Sequence, residues 1–223
     1  MKKILGIIFL ILLAVILFFV FNSNKTTVNI IGEKRLVELS NDDRVSMPLE
    51  ELNKLNSSNY SEEDAMEHFI KMGFSWKSIA DITRQDQDYK YAIEAYKKAE
   101  SLATEGNILP VNNIGNIYEI LGEYDLAEDQ YLKALAMSPV EYDTNKKLFN
   151  LYYYKLDKSS DEIIALLDNA LETAVEKAPL LQLKASYLKD IGDYKGALEI
   201  YESLVENYPQ FTVVIDELKN KLK

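Results

Sequence analysis

The 223-residue chain has no cysteine, and this absence excludes several kinds of chemistry. Without a thiol the protein forms no disulfide, holds no metal through thiolates, uses no cysteine nucleophile and carries no lipid-modified cysteine. There is a single histidine, and the sequence contains no glycine-rich phosphate loop, Ser-His-Asp arrangement or His-Glu-x-x-His helix. We therefore expect no enzyme activity, no cofactor and no metal site.

The chain also has fewer basic than acidic residues. The chain has 25 Lys and Arg against 36 Asp and Glu, which gives a formal net charge of -11. Because non-specific binding to nucleic acid needs clustered Lys and Arg that displace counterions from phosphates, we expect no nucleic-acid partner. Glycine and proline are also scarce, at 8 and 5 residues, while 48% of the chain is hydrophobic. The protein therefore has enough apolar surface to bury a core, and wholesale disorder is excluded.

A long apolar run stands near the N-terminus, at residues 4–21, and contains no charged side chain. A helix of this length, rising about 1.5 Å per residue, nearly crosses a hydrocarbon core of about 30 Å. Val20, Phe21 and Asn22 follow Phe18 and Phe19 at the end of the run, where a cleaved signal peptide has small residues. With Lys2 and Lys3 before it, the run predicts a transmembrane signal-anchor over residues 1–24, with the N-terminus cytoplasmic and the bulk of the chain extracytoplasmic. The alternative is an exported soluble protein after signal cleavage.

Residues 25–72 are interpreted as a linker followed by N-terminal capping helices. Pro48 is placed to open one helix, and Ser61, with an acidic residue three positions later, predicts the start of another. His68 lies on that second helix beside Phe69, and we expect a structural or surface role for it. Asp86 and Asp88 flank Gln87 in a segment that we interpret as a solvated turn.

A pattern of alanine followed four residues later by tyrosine recurs along the chain. A further tyrosine precedes each alanine by three residues, and Gly122 and Gly192 stand in near-identical turns just before two of these copies. Pro139 and Pro209 follow their alanines by the same interval. The three copies lie 35 and 70 residues apart, at Tyr89, Ala92 and Tyr96, at Tyr124, Ala127 and Tyr131, and at Tyr194, Ala197 and Tyr201.

This pattern resembles the tetratricopeptide repeat (TPR), a helix-turn-helix unit of about 34 residues. The resemblance implies an all-α fold, a TPR-type alpha-alpha superhelix behind the N-terminal transmembrane helix. Four repeats are predicted over 73–211, followed by a C-terminal capping helix over 212–223. The third repeat departs most, since Ile163 and Leu167 replace the alanine and the aromatic residue, and two extra residues fall near 158–160. The repeat bounds are 73–107, 108–141, 142–177 and 178–211.

The small residues of the repeat allow its two helices to pack closely. Two antiparallel helices approach closely only where small side chains stand at their crossing. We therefore expect Gly115 and Ala127 to let the helices of the second repeat meet, while Tyr118 and Tyr131 fill the flanking space.

The resemblance also implies where a partner binds. In this family, protein segments bind to the concave face, through outward positions of the first helix of each repeat. Asparagine and lysine side chains on such a face are suited to hydrogen bonds with a peptide backbone or a carboxylate. The predicted partner-binding groove consists of Lys77, Asp81, Arg84, Asn112, Asn113, Asn116, Glu119, Lys146, Lys147, Asn150, Tyr153, Gln182, Ser186 and Lys189.

One subtype of the family clamps a terminal carboxylate with lysine, asparagine and arginine side chains. Lys77, Asn113 and Lys147 fit similar places, but Asp81 and Asp143 stand where that clamp has Asn and Lys. The clamp predicted from the resemblance is therefore incomplete.

The function expected from these features is that of a membrane-anchored adaptor or scaffold. Its groove would bind a segment of a protein partner, in bacterial envelope assembly, secretion or protein quality control, and residues 4–21 would contact the membrane. No small-molecule substrate is expected. The alternative is a structural subunit of a membrane complex whose repeats have no groove function.

Overall fold

The computed structural model describes residues 30–103 and 106–223, and every regular element within these ranges is helical. The chain divides into a unit of residues 1–41, which contains helix α1, and a unit of residues 42–223, which contains the other helices. Short 3-10 turns occur at Asp43–Val45 and Pro209–Phe211. The helices are α1 Glu33–Leu39, α2 Ser46–Ser57, α3 Ala65–Thr83, α4 Asp86–Leu102, α5 Leu109–Leu121, α6 Tyr124–Met137, α7 Tyr142–Tyr154, α8 Ser160–Thr173, α9 Ala178–Asp190, α10 Tyr194–Leu204 and α11 Thr212–Lys221.

Within residues 42–223 the helices stack in sequence order. Four hairpins form from α3 and α4, α5 and α6, α7 and α8, and α9 and α10. The second helix of each of the first three hairpins packs against the first helix of the next, α2 packs on α3, and α11 packs on α10. The all-α class predicted from the sequence is therefore confirmed.

Left-handed glycines stand at two of the hairpin turns. Gly122 has φ 75° at the end of α5, and Gly192 has φ 87° in the turn between α9 and α10. Glycine adopts this conformation without the steric cost that a side chain brings. Both turns lie where the repeated sequence pattern predicts them.

The turn of the first hairpin differs from the prediction. Helix α3 ends at Thr83, Arg84 takes the left-handed conformation with φ 58°, and α4 begins at Asp86. The interpretation of residues 86–88 as a solvated turn is thus wrong, because they form the first turn of α4. The Asp88 carboxylate is buried and accepts a hydrogen bond from the Thr83 hydroxyl at 2.6 Å. Carboxylates are favoured at helix N-termini by the helix dipole, which explains why α4 starts at Asp86 and not after the predicted turn.

Helix α3 is longer than the sequence pattern indicates. The Asp64 backbone N–H donates to Ser61 Oγ at 3.1 Å, as expected of a helix start, but the helix itself begins at Ala65. It then runs without interruption through Gly73, where the predicted repeats begin. The ring of Tyr96 covers this glycine so closely that an added Cβ would lie 2.5 Å from Tyr96 Cε1. Packing by the ring holds the glycine within the helix.

The third hairpin accommodates its extra residues in the connection between its helices. Ser159 caps α8: it accepts from the Glu162 backbone N–H, and the Glu162 carboxylate accepts from the Ser159 backbone N–H at 3.0 Å. Ile163 and Leu167 are buried at the positions where other repeats carry alanine and tyrosine. In the third hairpin two branched aliphatic side chains therefore fill the space that a small alanine and a large tyrosine fill in the other repeats.

No helix among residues 30–103 and 106–223 is long and apolar enough to cross a membrane. The longest of them, α3, carries Glu67, Lys71, Lys77 and Asp81 along its length. The predicted localisation, a single-pass membrane protein with a cytoplasmic N-terminus, is contradicted by this finding and is withdrawn. The apolar run at residues 4–21, from which it was inferred, lies outside the described residues.

Candidate functional site

The structure places the fourteen predicted groove residues on the first helices of the four hairpins. Two lie on α3, and Arg84 caps the end of that helix. Four lie on α5, four on α7 and three on α9. Arg84, Lys146 and Gln182 are exposed, and the other eleven residues are half-buried. The hydrogen bonds that these side chains make show which of them are already engaged inside the protein.

The polar residues of α3 form a network with one another. Lys77 Nζ donates to Asp81 Oδ2 at 2.7 Å, and the Tyr89 hydroxyl of α4 donates to Asp81 Oδ1 at 2.9 Å. Burial, together with the Asp81 carboxylate, raises the pKa of the Tyr89 hydroxyl. These bonds hold α3 against α4, so Asp81 has an intramolecular partner for each oxygen.

A reciprocal pair of hydrogen bonds joins the second hairpin to the third. Asn112 Nδ2 of α5 donates to Thr144 Oγ1 of α7 at 2.8 Å, and that hydroxyl donates back to Asn112 Oδ1 at 3.2 Å. Thr144 is fully buried. Since both groups are satisfied, Asn112 acts as a link between repeats.

The buried Tyr131 of α6 organises a second polar group, which we call the Tyr131 cluster: Asn116, Glu119, Tyr131 and Lys147. The Tyr131 hydroxyl lies 2.9 Å from Asn116 Oδ1 and within hydrogen-bonding distance of Glu119 Oε2. Burial and the Glu119 carboxylate raise the pKa of this hydroxyl. Lys147 Nζ of α7 lies 5.9 Å from the centre of the Tyr131 ring. The cluster thus connects three helices.

Lys147 is the half-buried cation of this cluster. Burial lowers its pKa, while the carboxylates of Asp143 and Glu119 act in the opposite direction. The lysine thus already has acidic neighbours within the protein. Lys77 likewise pairs with Asp81. Of the two lysines that resemble a carboxylate clamp, Lys77 is therefore ion-paired with Asp81, and Lys147 lies in the field of Asp143 and Glu119.

Asn113 differs from its neighbours on α5. Its side chain is half-buried, and its Nδ2 atom is removed from solvent yet makes no hydrogen bond within the described residues. A buried donor without an acceptor costs about 1–3 kcal/mol, so such groups are rare in folded proteins. Asn113 is the predicted groove residue with the clearest unmet hydrogen-bonding capacity.

The last predicted residues lie at the junction of the third and fourth hairpins. The Tyr153 ring of α7 packs edge-on against Tyr187 of α9, with ring centres 5.2 Å apart, and also contacts Phe149. Burial raises the pKa of the Tyr201 hydroxyl, and Ser186 acts in the opposite direction. The ring contacts assign Tyr153 to packing between helices. In contrast, Gln182 is exposed and Lys189 is half-buried.

The prediction from the sequence missed two residues that position the site, Thr144 and the Tyr131 hydroxyl. Thr144 lies one turn before the predicted groove residues of α7, and its role depends on Asn112 reaching it from another repeat. Tyr131 was assigned only to packing. The structure also contains a cavity of about 540 Å³ lined by α4, α5 and α6, which none of the fourteen residues reaches. Over the part of the chain that the structure describes, no group of three or more His, Cys, Asp or Glu side chains is arranged to hold a metal ion.

Comparisons with known proteins agree with this architecture. The family model of the tetratricopeptide repeat, TPR_8, matches residues 111–141 and 178–211. No curated protein matches the chain. Thirty-six chains of solved structures match; one, the crystal structure of MamA, has a TM-score of 0.51 and 19% sequence identity, with 81% of this chain and 95% of that chain covered. At this identity the likeness to MamA shows the fold.

Proposed function

We propose that this chain, which matches the model of the tetratricopeptide repeat over residues 111–141 and 178–211, is a protein-interaction scaffold that holds an extended segment of a partner protein against α5 and α7. Stacked helical pairs of this kind expose the first helices on one continuous face. Polar side chains on such a face recognise the main chain of a bound segment.

The observation that carries the proposal is the buried, unpartnered amide of Asn113. Its neighbours Asn112 and Asn116 are held by Thr144 and Tyr131, so the surrounding backbone is fixed before any ligand arrives. Rotation of the half-buried Asn113 side chain would bring Nδ2 to the surface, where a backbone carbonyl of the partner supplies the missing acceptor. Since these two side chains are already held, α5 itself loses little conformational entropy on binding.

The chemistry of this face favours a main-chain amide over a terminal carboxylate as the ligand. Lys77 and Lys147 both face carboxylates of the protein itself. A ligand carboxylate would have to compete with Asp81 or Asp143 and Glu119 for them. The role in envelope assembly, secretion or quality control expected from the sequence depended on the withdrawn localisation and is not part of the proposal.

The first experiment identifies the bound segment by photocrosslinking. A photoreactive amino acid is placed at Lys146, an exposed predicted groove position on α7, and in a second protein at Asn169, an exposed position on the second helix α8. We expect a discrete crosslinked peptide from position 146 and none from position 169. If only position 169 gives crosslinks, the partner binds the second helices and the repeats act as a structural subunit without a groove.

The second experiment measures the affinity of that crosslinked peptide, prepared by synthesis, for the wild-type protein and for Asn113→Ala. One lost hydrogen bond of about 1 kcal/mol weakens binding about fivefold. Because Asn113 Nδ2 has no intramolecular partner, the substitution should not lower the urea midpoint, and relief of the unmet donor should raise it if it changes at all. Asn169→Ala is the matched control and should bind as the wild type does. Equal affinities of the wild type and Asn113→Ala would refute the assignment.

A further inference from the structure

A cavity lies between the second helices α4 and α6, over the C-terminal end of α5. Its volume is about 540 Å³, within the range of about 300–1,000 Å³ that is usual for small-molecule sites. None of the predicted groove residues lines it. The cavity is therefore a separate feature from the proposed peptide site.

The floor of the cavity is apolar. Ile93 of α4, Tyr118 and Leu121 of α5, and Leu126 of α6 contribute its hydrophobic side chains. Leu126 remains 43% exposed. An exposed leucine beside a concave apolar surface indicates a place where further hydrophobic surface can be buried.

The cavity is elongated along α4. Its lining residues on this helix extend from Lys90 to Ser101, which at 1.5 Å per residue is about 16 Å. An ion pair between Lys133 of α6 and Glu100 of α4 bridges the two second helices near the Ser101 end. An extended single chain matches this elongated shape.

Two lysines lie along the edge of the cavity. Lys90 and Lys97 are exposed, stand about 10.5 Å apart on one face of α4, and make no ion pair with another described residue. By contrast, Lys98 lies 4.0 Å from Glu94 and 5.4 Å over the Phe69 ring. Glu94 and Glu123 also line the cavity, and with Lys98 paired to Glu94 the remaining lining charges are Lys90, Lys97 and Glu123. Two ammonium groups beside an apolar trough complement an anionic head joined to an apolar tail.

We infer that this cavity binds a single-chain anionic amphiphile, with its acyl chain on the floor formed by Ile93, Tyr118, Leu121 and Leu126 and its carboxylate at Lys90 or Lys97. This ligand class was not expected from the sequence. The inference is independent of the proposed peptide site, since the two sites share no residue.

The test is a calorimetric titration of the full-length protein with decanoate, and with decanol as the neutral analogue. We expect one saturable decanoate site and about fivefold weaker binding of decanol, because an exposed ion pair contributes up to about that factor. Octanoate should bind more weakly than decanoate by about two- to fourfold for each missing methylene. Absence of a saturable site, or equal affinities of decanoate and decanol, would overturn the inference.

A matched pair of variants on α6 locates the site. Leu126→Glu places a carboxylate at the cavity and should weaken decanoate binding at least tenfold. Leu132→Glu makes the same change at a leucine that is 45% exposed on the same helix but does not line the cavity, and should bind normally. Both leucines are exposed, so both variants should keep their helical circular dichroism. Equal losses in the two variants would place the ligand elsewhere.

The role of the lysines is tested with a charge-matched control. Lys90→Gln combined with Lys97→Gln should abolish the preference for decanoate over decanol while decanol binding is retained. Lys54→Gln combined with Lys195→Gln removes the same charge at exposed positions of α2 and α10 and should preserve the preference. Asn113→Ala should leave decanoate binding unchanged, so the peptide site and this cavity are judged separately. A preference that persists in the Lys90 and Lys97 variant contradicts the proposed head-group contact.

Discussion

Replacing Gly115 by alanine tests why a glycine stands in the middle of α5. An added Cβ would lie 2.7 Å from Cε1, 3.0 Å from Cδ1 and 3.2 Å from Cζ of the Tyr131 ring. Ordinary contacts between carbon atoms are about 3.5–4.0 Å. The ring is fully buried, and its hydroxyl lies within hydrogen-bonding distance of Asn116 and Glu119. The new methyl group therefore meets an atom that has no free space to move into.

The sign of the effect follows from three contributions. Alanine favours the helix over glycine by about 1 kcal/mol. Overpacking a close-packed interior costs about 1–3 kcal/mol, and displacing the ring puts at risk the Tyr131 hydrogen bond, worth about 1 kcal/mol. We expect Gly115→Ala to lower the free energy of unfolding by about 1–2 kcal/mol, in spite of its better helix propensity.

Urea denaturation followed by circular dichroism measures this change. The same substitution is also made in a Tyr131→Leu background, where the ring is absent and alanine should be neutral or stabilising by up to about 1 kcal/mol. The difference between the two backgrounds is the contribution of the ring contact. A Gly115→Ala protein as stable as the wild type, or one with the same loss in both backgrounds, would refute the reasoning.

Two further predictions concern single side chains. Ser159→Ala removes the cap of α8 and should lower the free energy of unfolding by about 1 kcal/mol, measured by urea denaturation, whereas Ser159→Asp, which can still cap, should retain most of it. His68 is buried against Tyr60, and burial, then Lys71, lowers its pKa below 6.5. Because the unfolded chain then binds more protons than the folded one, stability should fall as the pH drops through 6.5 towards the folded-state pKa. Urea midpoints at several pH values should show this loss in the wild type and not in His68→Gln.

The helical hairpins could be predicted because their signals are local. Alanine and tyrosine at fixed spacing, with glycine in the turns, indicate the second and fourth pairs, and Gly122 and Gly192 lie in those turns. The first pair was placed less well, since the turn was predicted at Gln87 and lies at Arg84. Aligning one repeat with another predicts where its helices and turns should lie. It does not show that the Thr83 hydroxyl donates a hydrogen bond to the Asp88 carboxylate, which places the turn earlier.

The sequence predicted which helices carry the candidate site, but not which contacts its side chains make. Outward positions on first helices follow from periodicity, and thirteen of the fourteen residues lie on those helices, while Arg84 caps one of them. Asn112, Asn113 and Asn116 have the same side-chain chemistry, yet two are held by Thr144 and Tyr131 and one is not. The distinction depends on which side chain of another helix lies within about 3 Å, and no local pattern contains that distance.

The sequence by itself thus determined the helical class, the repeat and the helices that carry polar faces, because hydrophobic period and turn chemistry act between residues close along the chain. Only the tertiary structure decided which polar groups bond to one another and where α4 and α6 leave a cavity over α5. Those features depend on how side chains some 30 residues apart meet across packed helices. The contact between Tyr131 and Gly115 depends on both sequence and fold. The repeat places a glycine and a tyrosine at fixed positions along the chain, and packing of the helices brings them together.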